Sequence, residues 1–241
     1  MYGSKDRLVI FDVDGTLIDS FYAVELAFER HGMDIGDLHR FQRRRKLLKY
    51  LGGLREFPKN LRRQLNKENR KRLKHTLTEI YRSEAQVFPA VATLLQILID
   101  TPDIRVGIVS RNVTIEPEET VRLVLERHNI DSSQLDFISC IPLGEDKASH
   151  FRAIRERFDI NPSRSFACGD EYRDYAAAIM AGMHPFVVSY GFEDYDRLVD
   201  DFSIPNEVIS KTPRELMDRI CHALDLELPT LKAQRMAVVD A

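Results

Sequence analysis

The chain has 241 residues, of which 44% are hydrophobic and 30% charged, and its net charge is −3. This is the balance of a globular protein with room for one ordinary domain plus an insertion, and it implies no polyanionic partner. The N-terminal apolar stretch is far too short for a membrane span and lacks the layout of a signal peptide, so neither is expected. Cys140, Cys168 and Cys221 lack CxxC or Cys/His metal spacing, so free thiols in a cytoplasmic protein are expected.

The first element is the apolar run Leu8-Val9-Ile10-Phe11, which stops at Asp12-Val13-Asp14-Gly15-Thr16-Leu17. A run of that length before a turn signal reads as a strand buried on both faces. Side chains two apart on a strand share a side, so Asp12 and Asp14 can lean toward one site while Val13 turns away. Gly15 permits a sharp turn with exposed backbone amides. Two carboxylates this close repel, and both stay ionised only beside a cation or hydrogen-bond donors. The pattern asks for a hard, oxygen-preferring ion such as Mg²⁺.

Residues 18–88 read differently. Phe21, Val24, Leu26, Ala27 and Phe28 give a helical stripe ending near Gly32. Phe41, Leu47, Leu48 and Leu51 give a second, stopped by Gly52-Gly53, and Leu61, Leu65, Leu73, Leu77, Ile80 and Tyr81 suggest a third. This segment holds 17 Lys and Arg against 9 Asp and Glu, leaving 18 against 29 elsewhere, so it is a basic piece in an acidic chain. It is expected to be a helical insertion, or cap, with its own small core, set into a core made of residues 1–17 and 89–241.

After Pro89 helix and strand alternate. Helices are predicted over 91–99, 118–128, 147–158, 176–181 and 213–224, and strands over 105–109, 137–141, 165–168 and 185–188. Pro213 behind Thr212 is an ordinary helix start. The alternation implies an α/β fold with a Rossmann-like parallel sheet, helices on both faces and an inserted α-helical cap. In such sheets ligands bind beyond the carboxyl ends of the strands, where strand order reverses. Polar residues stand at four such ends: Asp12 and Asp14; Ser110 with Arg111 and Asn112; Lys147 behind Gly144-Glu145-Asp146; and Asp170 with Asp174 after Gly169.

Asp-Val-Asp-Gly-Thr-Leu after an apolar strand resembles the first motif of the haloacid dehalogenase-like (HAD) hydrolases, in the subclass like phosphoglycolate phosphatase. The order acidic pair, hydroxyl, lysine, acidic pair is similar to the four motifs of that superfamily, from Asp12 to Asp174. Ala176-Ala177-Ala178, Ala181-Gly182-Met183 and Tyr190-Gly191-Phe192 extend the likeness. The resemblance implies a Mg²⁺-dependent phosphatase acting on a small phosphorylated metabolite through an aspartyl-phosphate. Asp12 would be the nucleophile and Asp14 the proton donor and acceptor. Ser110, amides near Asn112, and Lys147 would hold the phosphoryl group. Mg²⁺ would sit on Asp12, Asp14 (through its carbonyl) and Asp170, with Asp174 supporting the set.

Alternatives remain open at this point. Asp14 argues against a dehalogenase, which lacks the second aspartate, whereas a phosphomutase shares all four motifs. Phosphonate-cleaving members use an insertion lysine, and nothing singles out Lys46, Lys49 or Lys59. Lys147 is followed by Ala148 where many relatives have proline, and Arg111 stands between Ser110 and Asn112. Arg111 and Arg55 are candidate specificity residues facing an anionic substrate. The tract Arg43-Arg44-Arg45-Lys46 raises a nucleic-acid-end phosphatase or binding protein, disfavoured because no aromatic residues alternate with it. Cys168 reads as a buried strand residue rather than a nucleophile. Composition leaves the oligomeric state undetermined.

Overall fold

The computed structural model describes residues 5–32 and 67–228. The apolar run forms β1 (Arg7–Phe11), which lies inside a six-stranded sheet with β4 (Ile104–Ser110), β5 (Phe137–Cys140), β6 (Ser165–Gly169), β7 (His184–Val188) and β8 (Ile209–Ser210). The order is β5-β4-β1-β6-β7-β8, and every neighbouring pair is parallel. Sequence order runs outward in opposite directions on the two sides of β1. The carboxyl ends of β1, β4 and β6 therefore meet at the point where strand order reverses.

The alternation of side chains along β1 divides the core. Val9 and Phe11 join the apolar faces of α3 (Pro89–Asp100), α4 (Pro117–Arg127) and α7 (Pro213–Ala223) on one side. Leu8 and Ile10 join α5 (Lys147–Arg157) and α6 (Tyr172–Met180) on the other. Burial on both faces is why these strands read as continuous apolar runs rather than alternating ones. At the start of α7 the Thr212 hydroxyl accepts from the Glu215 N–H at 3.1 Å, with Pro213 in the first turn.

Two helices lie in the 18–88 segment: α1 (Ser20–Arg30) and α2 (Lys67–Glu84). The chain enters and leaves them through a two-stranded antiparallel ribbon, β2 (Ile18–Asp19) with β3 (Gln86–Val87). Two-residue strands carry no readable period, which is why the sequence does not announce them. Ala23, Val24, Ala27, Phe28, Leu73, Leu77, Ile80 and Tyr81 belong to the same apolar cluster as Val9 and Phe11. Among the described residues the segment thus shares the main core rather than having one of its own. Helix α2 is also hydrogen-bonded to the loop after β4 and to α4: Thr78 Oγ1 accepts from Ile115 N–H at 2.9 Å, and Arg82 donates to Thr120 Oγ1, in α4, at 2.9 Å. The second apolar stripe, the tract Arg43-Arg44-Arg45-Lys46, and Arg55 lie outside the described residues.

Helix α6 begins at Tyr172, four residues before the expected alanine run, because Glu171 and Asp174 cap its first turn reciprocally. A short π-helical turn at Arg197–Asp201 and the edge strand β8 were not expected from periodicity. No helix among the described residues is long and apolar enough to cross a membrane.

Candidate active site

The site is assembled from strand ends. Asp12 follows β1, and its N–H donates to the Cys168 carbonyl at 2.8 Å, which extends β1 against β6. One oxygen of Asp12 accepts from the Val13 N–H at 2.8 Å and the other lies 2.9 Å from Lys147 Nζ. Lys147 opens α5 and is only 2% exposed, and its ammonium also donates to Asp174 Oδ1 at 2.6 Å. The second oxygen of Asp174 accepts from the Glu171 N–H at 3.1 Å, so the cap of α6 aims this carboxylate. Asp170, at the end of β6, is fully buried, and its Oδ2 accepts from the Phe192 N–H at 2.5 Å.

Glycine makes that arrangement possible. A Cβ at Gly15, whose φ is +77°, would run into the Asp170 carboxylate, and one at Gly191 would meet both Asp170 and the Gly15 carbonyl. The turn after β1 and the turn after β7 therefore close on Asp170 only because both positions lack side chains.

Asp14 is held differently. Its Oδ1 accepts the hydroxyl proton of Tyr81, on α2, and its Oδ2 accepts from Asn112 Nδ2 at 3.2 Å. Asn112 is in turn fixed by the Thr114 N–H at 2.9 Å and by the Thr114 hydroxyl. Ser110 Oγ, at the end of β4, is buried and has no hydrogen-bond partner among the described residues. Arg111 reaches within 4.0 Å of Asp174 and lines a cavity of about 300 Å³ with Glu145, Asp146, Tyr172 and Arg173. Of the residues expected at the site, Asp12, Asp14, Ser110, Arg111, Asn112, Lys147, Asp170 and Asp174 all lie at these strand ends. Arg55 falls outside the described residues.

The electrostatics separate the two aspartates of the first turn. Asp14 has no ion-pair partner among the described residues. Burial lifts its carboxyl from 3.8 to about 6 against the opposing Tyr81 hydrogen bond, and the Asp12 charge adds to the rise. Burial works against the Lys147 ammonium, but the charges of Asp12 and Asp174 outweigh it and hold the ammonium above its ordinary range. Burial, then the charges of Asp12 and Asp174, push Asp170 well upward. Burial does the same to the Cys168 thiol, so that residue is a strand filler and not a nucleophile.

Four carboxyl groups here face two basic side chains, and that excess asks for a further cation. One oxygen each from Asp12, Asp170 and Asp174 lie within 4.8 Å of one another. Asp170 Oδ1 is buried with no donor, which is costly unless something outside the chain satisfies it. An all-carboxylate donor set with one unsatisfied oxygen fits a hard divalent ion.

Three residues of the site escaped sequence reasoning. Tyr81 occupies a helical stripe position that looks like any other core residue. Phe192 contributes only a backbone N–H, visible beforehand as the Tyr190-Gly191-Phe192 likeness and not as chemistry. Glu193 is fully buried and accepts from the Tyr172 N–H at 2.7 Å, at the start of α6. No spacing in the sequence marks it.

With this geometry in hand, comparison with known proteins defines the class. The family model for haloacid dehalogenase-like hydrolases matches residues 9–188. The chain belongs to that family. Among curated relatives, a phosphoglycolate phosphatase of Synechococcus elongatus is 28% identical over 225 residues, covering 89% of this chain and 97% of that protein. Among solved structures, a haloacid dehalogenase-like hydrolase from Streptococcus pneumoniae aligns at a TM-score of 0.61 and 20% identity, over 90% of this chain and 99% of that one. A candidate beta-phosphoglucomutase from Thermotoga maritima gives 0.60 and 20%, with the same coverage. These structures share the fold.

Proposed function

We propose that the protein hydrolyses a small phosphomonoester with the help of Mg²⁺, through a phosphate carried transiently on Asp12. It is a phosphatase: its family and its similarity to three curated phosphoglycolate phosphatases agree on that. The observation that carries the mechanism is the contrast at the end of β1. Asp12 is paired with a lysine at 2.9 Å, whereas Asp14 has no cationic partner among the described residues and its carboxyl is raised to about 6. A carboxyl paired with a lysine beside a second one that burial raises is the arrangement expected of a nucleophile and an acid.

In this reading an Asp12 oxygen bonds to phosphorus as the ester P–O bond breaks, and the leaving oxygen takes the proton from Asp14. Water then attacks the same phosphorus, gives its proton to Asp14, and frees Asp12 and inorganic phosphate. Lys147, Ser110 and backbone amides around Asn112 would hold the phosphoryl oxygens. Asp12, Asp170 and the Asp14 carbonyl would hold Mg²⁺, with Asp174 fixing Lys147 and supporting the set. When bound, the ion would offset the negative charge of phosphate and carboxylates. The segment 18–88 would act as the cap. Its basic residues, Arg55 among them, together with Arg111 suit an anionic ester, and phosphoglycolate is the first candidate because of the curated relatives. The free Cys140, Cys168 and Cys221 suit a reducing, cytoplasmic setting.

The test is hydrolysis of 4-nitrophenyl phosphate and phosphoglycolate with and without Mg²⁺, in wild type and Asp12→Asn. Turnover that needs the metal and falls by more than ~10³-fold in the variant is expected. A phosphomutase would instead retain the phosphate on the enzyme or return it to substrate, releasing little inorganic phosphate.

A further inference from the structure

The geometry points to Tyr81 as the residue that positions Asp14 for proton transfer, an inference that rests on the phosphatase reading above. Tyr81 is 2% exposed, and its ring is packed in the main apolar cluster. Its hydroxyl nonetheless ends on Asp14 Oδ1, while Asn112 Nδ2 takes Oδ2 at 3.2 Å. The two donors come from positions 67 and 98 residues further along the chain. They are also tied to each other. Thr78, one turn before Tyr81 on α2, accepts from Ile115 N–H at 2.9 Å, and Ile115 follows the Asn112–Thr114 turn that orients the Asn112 amide. Arg82, next to Tyr81, donates to Thr120 and Glu116 at 2.9 and 3.0 Å. Helix α2 and the loop after β4 thus form one bracket around Asp14, with a hydrogen bond to each carboxylate oxygen.

A carboxyl group on a turn after a strand has free rotation about two bonds, and a misplacement of about 1 Å costs about 100-fold in rate when the group must meet a leaving oxygen. The other carboxylates of the site each accept a backbone N–H, from Val13 on Asp12, Glu171 on Asp174 and Phe192 on Asp170, and Lys147 bridges Asp12 and Asp174. Asp14 takes its direction from side chains, and the 18–88 segment supplies the Tyr81 hydroxyl together with Ser20, which also reaches Asp14. A buried tyrosine that merely satisfied its own hydroxyl would contribute to stability and leave proton transfer untouched.

The experiment compares wild type, Tyr81→Phe and Asp12→Asn on 4-nitrophenyl phosphate and phenyl phosphate, two esters of similar shape. The nitrophenolate departs without a proton, whereas the poorer phenolate leaving group needs one. Tyr81→Phe keeps the buried ring, and its melting temperature controls for stability. We expect the single-turnover rate of phenol release, which reports the first step alone, to fall by ~10-fold or more on phenyl phosphate and that of nitrophenolate release by under about 3-fold, while the later water step, which also uses Asp14, slows equally for both. Equal losses in that first-step rate on both esters, or no loss, with Asp12→Asn inactive, would leave the phosphatase reading standing and overturn the role of Tyr81. Failure of the wild type to turn over either ester, or full activity in Asp12→Asn, would remove the phosphatase reading and this inference with it.

Discussion

The two aspartates after β1 stand two residues apart and are held by unlike means. Asp12 belongs to a cluster in which each carboxylate accepts a backbone N–H, Val13 on Asp12, Glu171 on Asp174 and Phe192 on Asp170, with Lys147 bridging Asp12 and Asp174. Asp14 is oriented by the side chains of Tyr81 and Asn112, from a helix of the 18–88 segment and the loop after β4. Charge separates them as well, since Lys147 pairs with Asp12 and Asp174 but not with Asp14. The difference teaches how one turn can hold two carboxyl groups side by side in unlike surroundings, as the proposed nucleophile and proton carrier require. Position is locked by the strand ends for the first and by distant side chains for the second.

The largest break in this contrast comes from Lys147. Removing one member of a buried charge network leaves the others uncompensated, at a cost of about 3–5 kcal/mol. Lys147→Ala is therefore expected to lower the denaturant midpoint sharply, and added Mg²⁺ should recover part of the loss by binding the exposed carboxylates. No change in midpoint would mean that the Lys147 ion pairs contribute nothing to the fold.

A smaller effect sharpens the difference in charge. The Asp14 carboxyl is raised from 3.8 to about 6 in the folded protein, mainly by burial. The folded state thus holds a proton that the unfolded chain releases between those values, so the contribution of Asp14 is fully present below pH 4 and lost as pH rises through 6. The full two-unit shift corresponds to about 3 kcal/mol, and the partial exposure of Asp14 reduces this to ~1–2 kcal/mol. Without divalent ions, the stability of wild type relative to Asp14→Asn should fall by that amount between pH 4 and 7. A gap that widens with pH would contradict the assignment.

The Asp12 cluster can also be loosened without touching a charge. Gly191→Ala places a methyl group against the Asp170 carboxylate and the Gly15 carbonyl, two groups with little room to move. A loss of about 1–3 kcal/mol in thermal unfolding is expected, together with weaker Mg²⁺ binding by calorimetry. A variant as stable as wild type, with unchanged metal affinity, would show that the two turns are not closely fitted.

The same division explains what could be read from the sequence. Asp12, Lys147, Asp170 and Asp174 stand directly behind apolar strands or at a helix start, and a parallel sheet gathers such ends by topology alone. Pattern and fold were sufficient to bring them together. Of the two residues that hold Asp14, Asn112 was marked by its place behind β4, whereas Tyr81 was not legible, because it repeats at helical spacing with Leu73, Leu77 and Ile80 and is indistinguishable from them by period. The β2–β3 ribbon escaped for a related reason: two residues show no alternation, and its pairing of Ile18 with Val87 joins positions far apart in the chain. The shared core of α1 and α2 with the sheet is likewise a fact of packing that a local apolar stripe does not reveal.

The central claim is that phosphate passes through Asp12. The most direct measurement is an acid quench of the enzyme during turnover of ³²P-labelled acetyl phosphate with Mg²⁺, followed by peptide mapping. The account predicts an acid-stable, hydroxylamine-sensitive label on the peptide that contains Asp12, absent from Asp12→Asn. Steady release of phosphate with no label on that peptide, or a label on another residue, would contradict it.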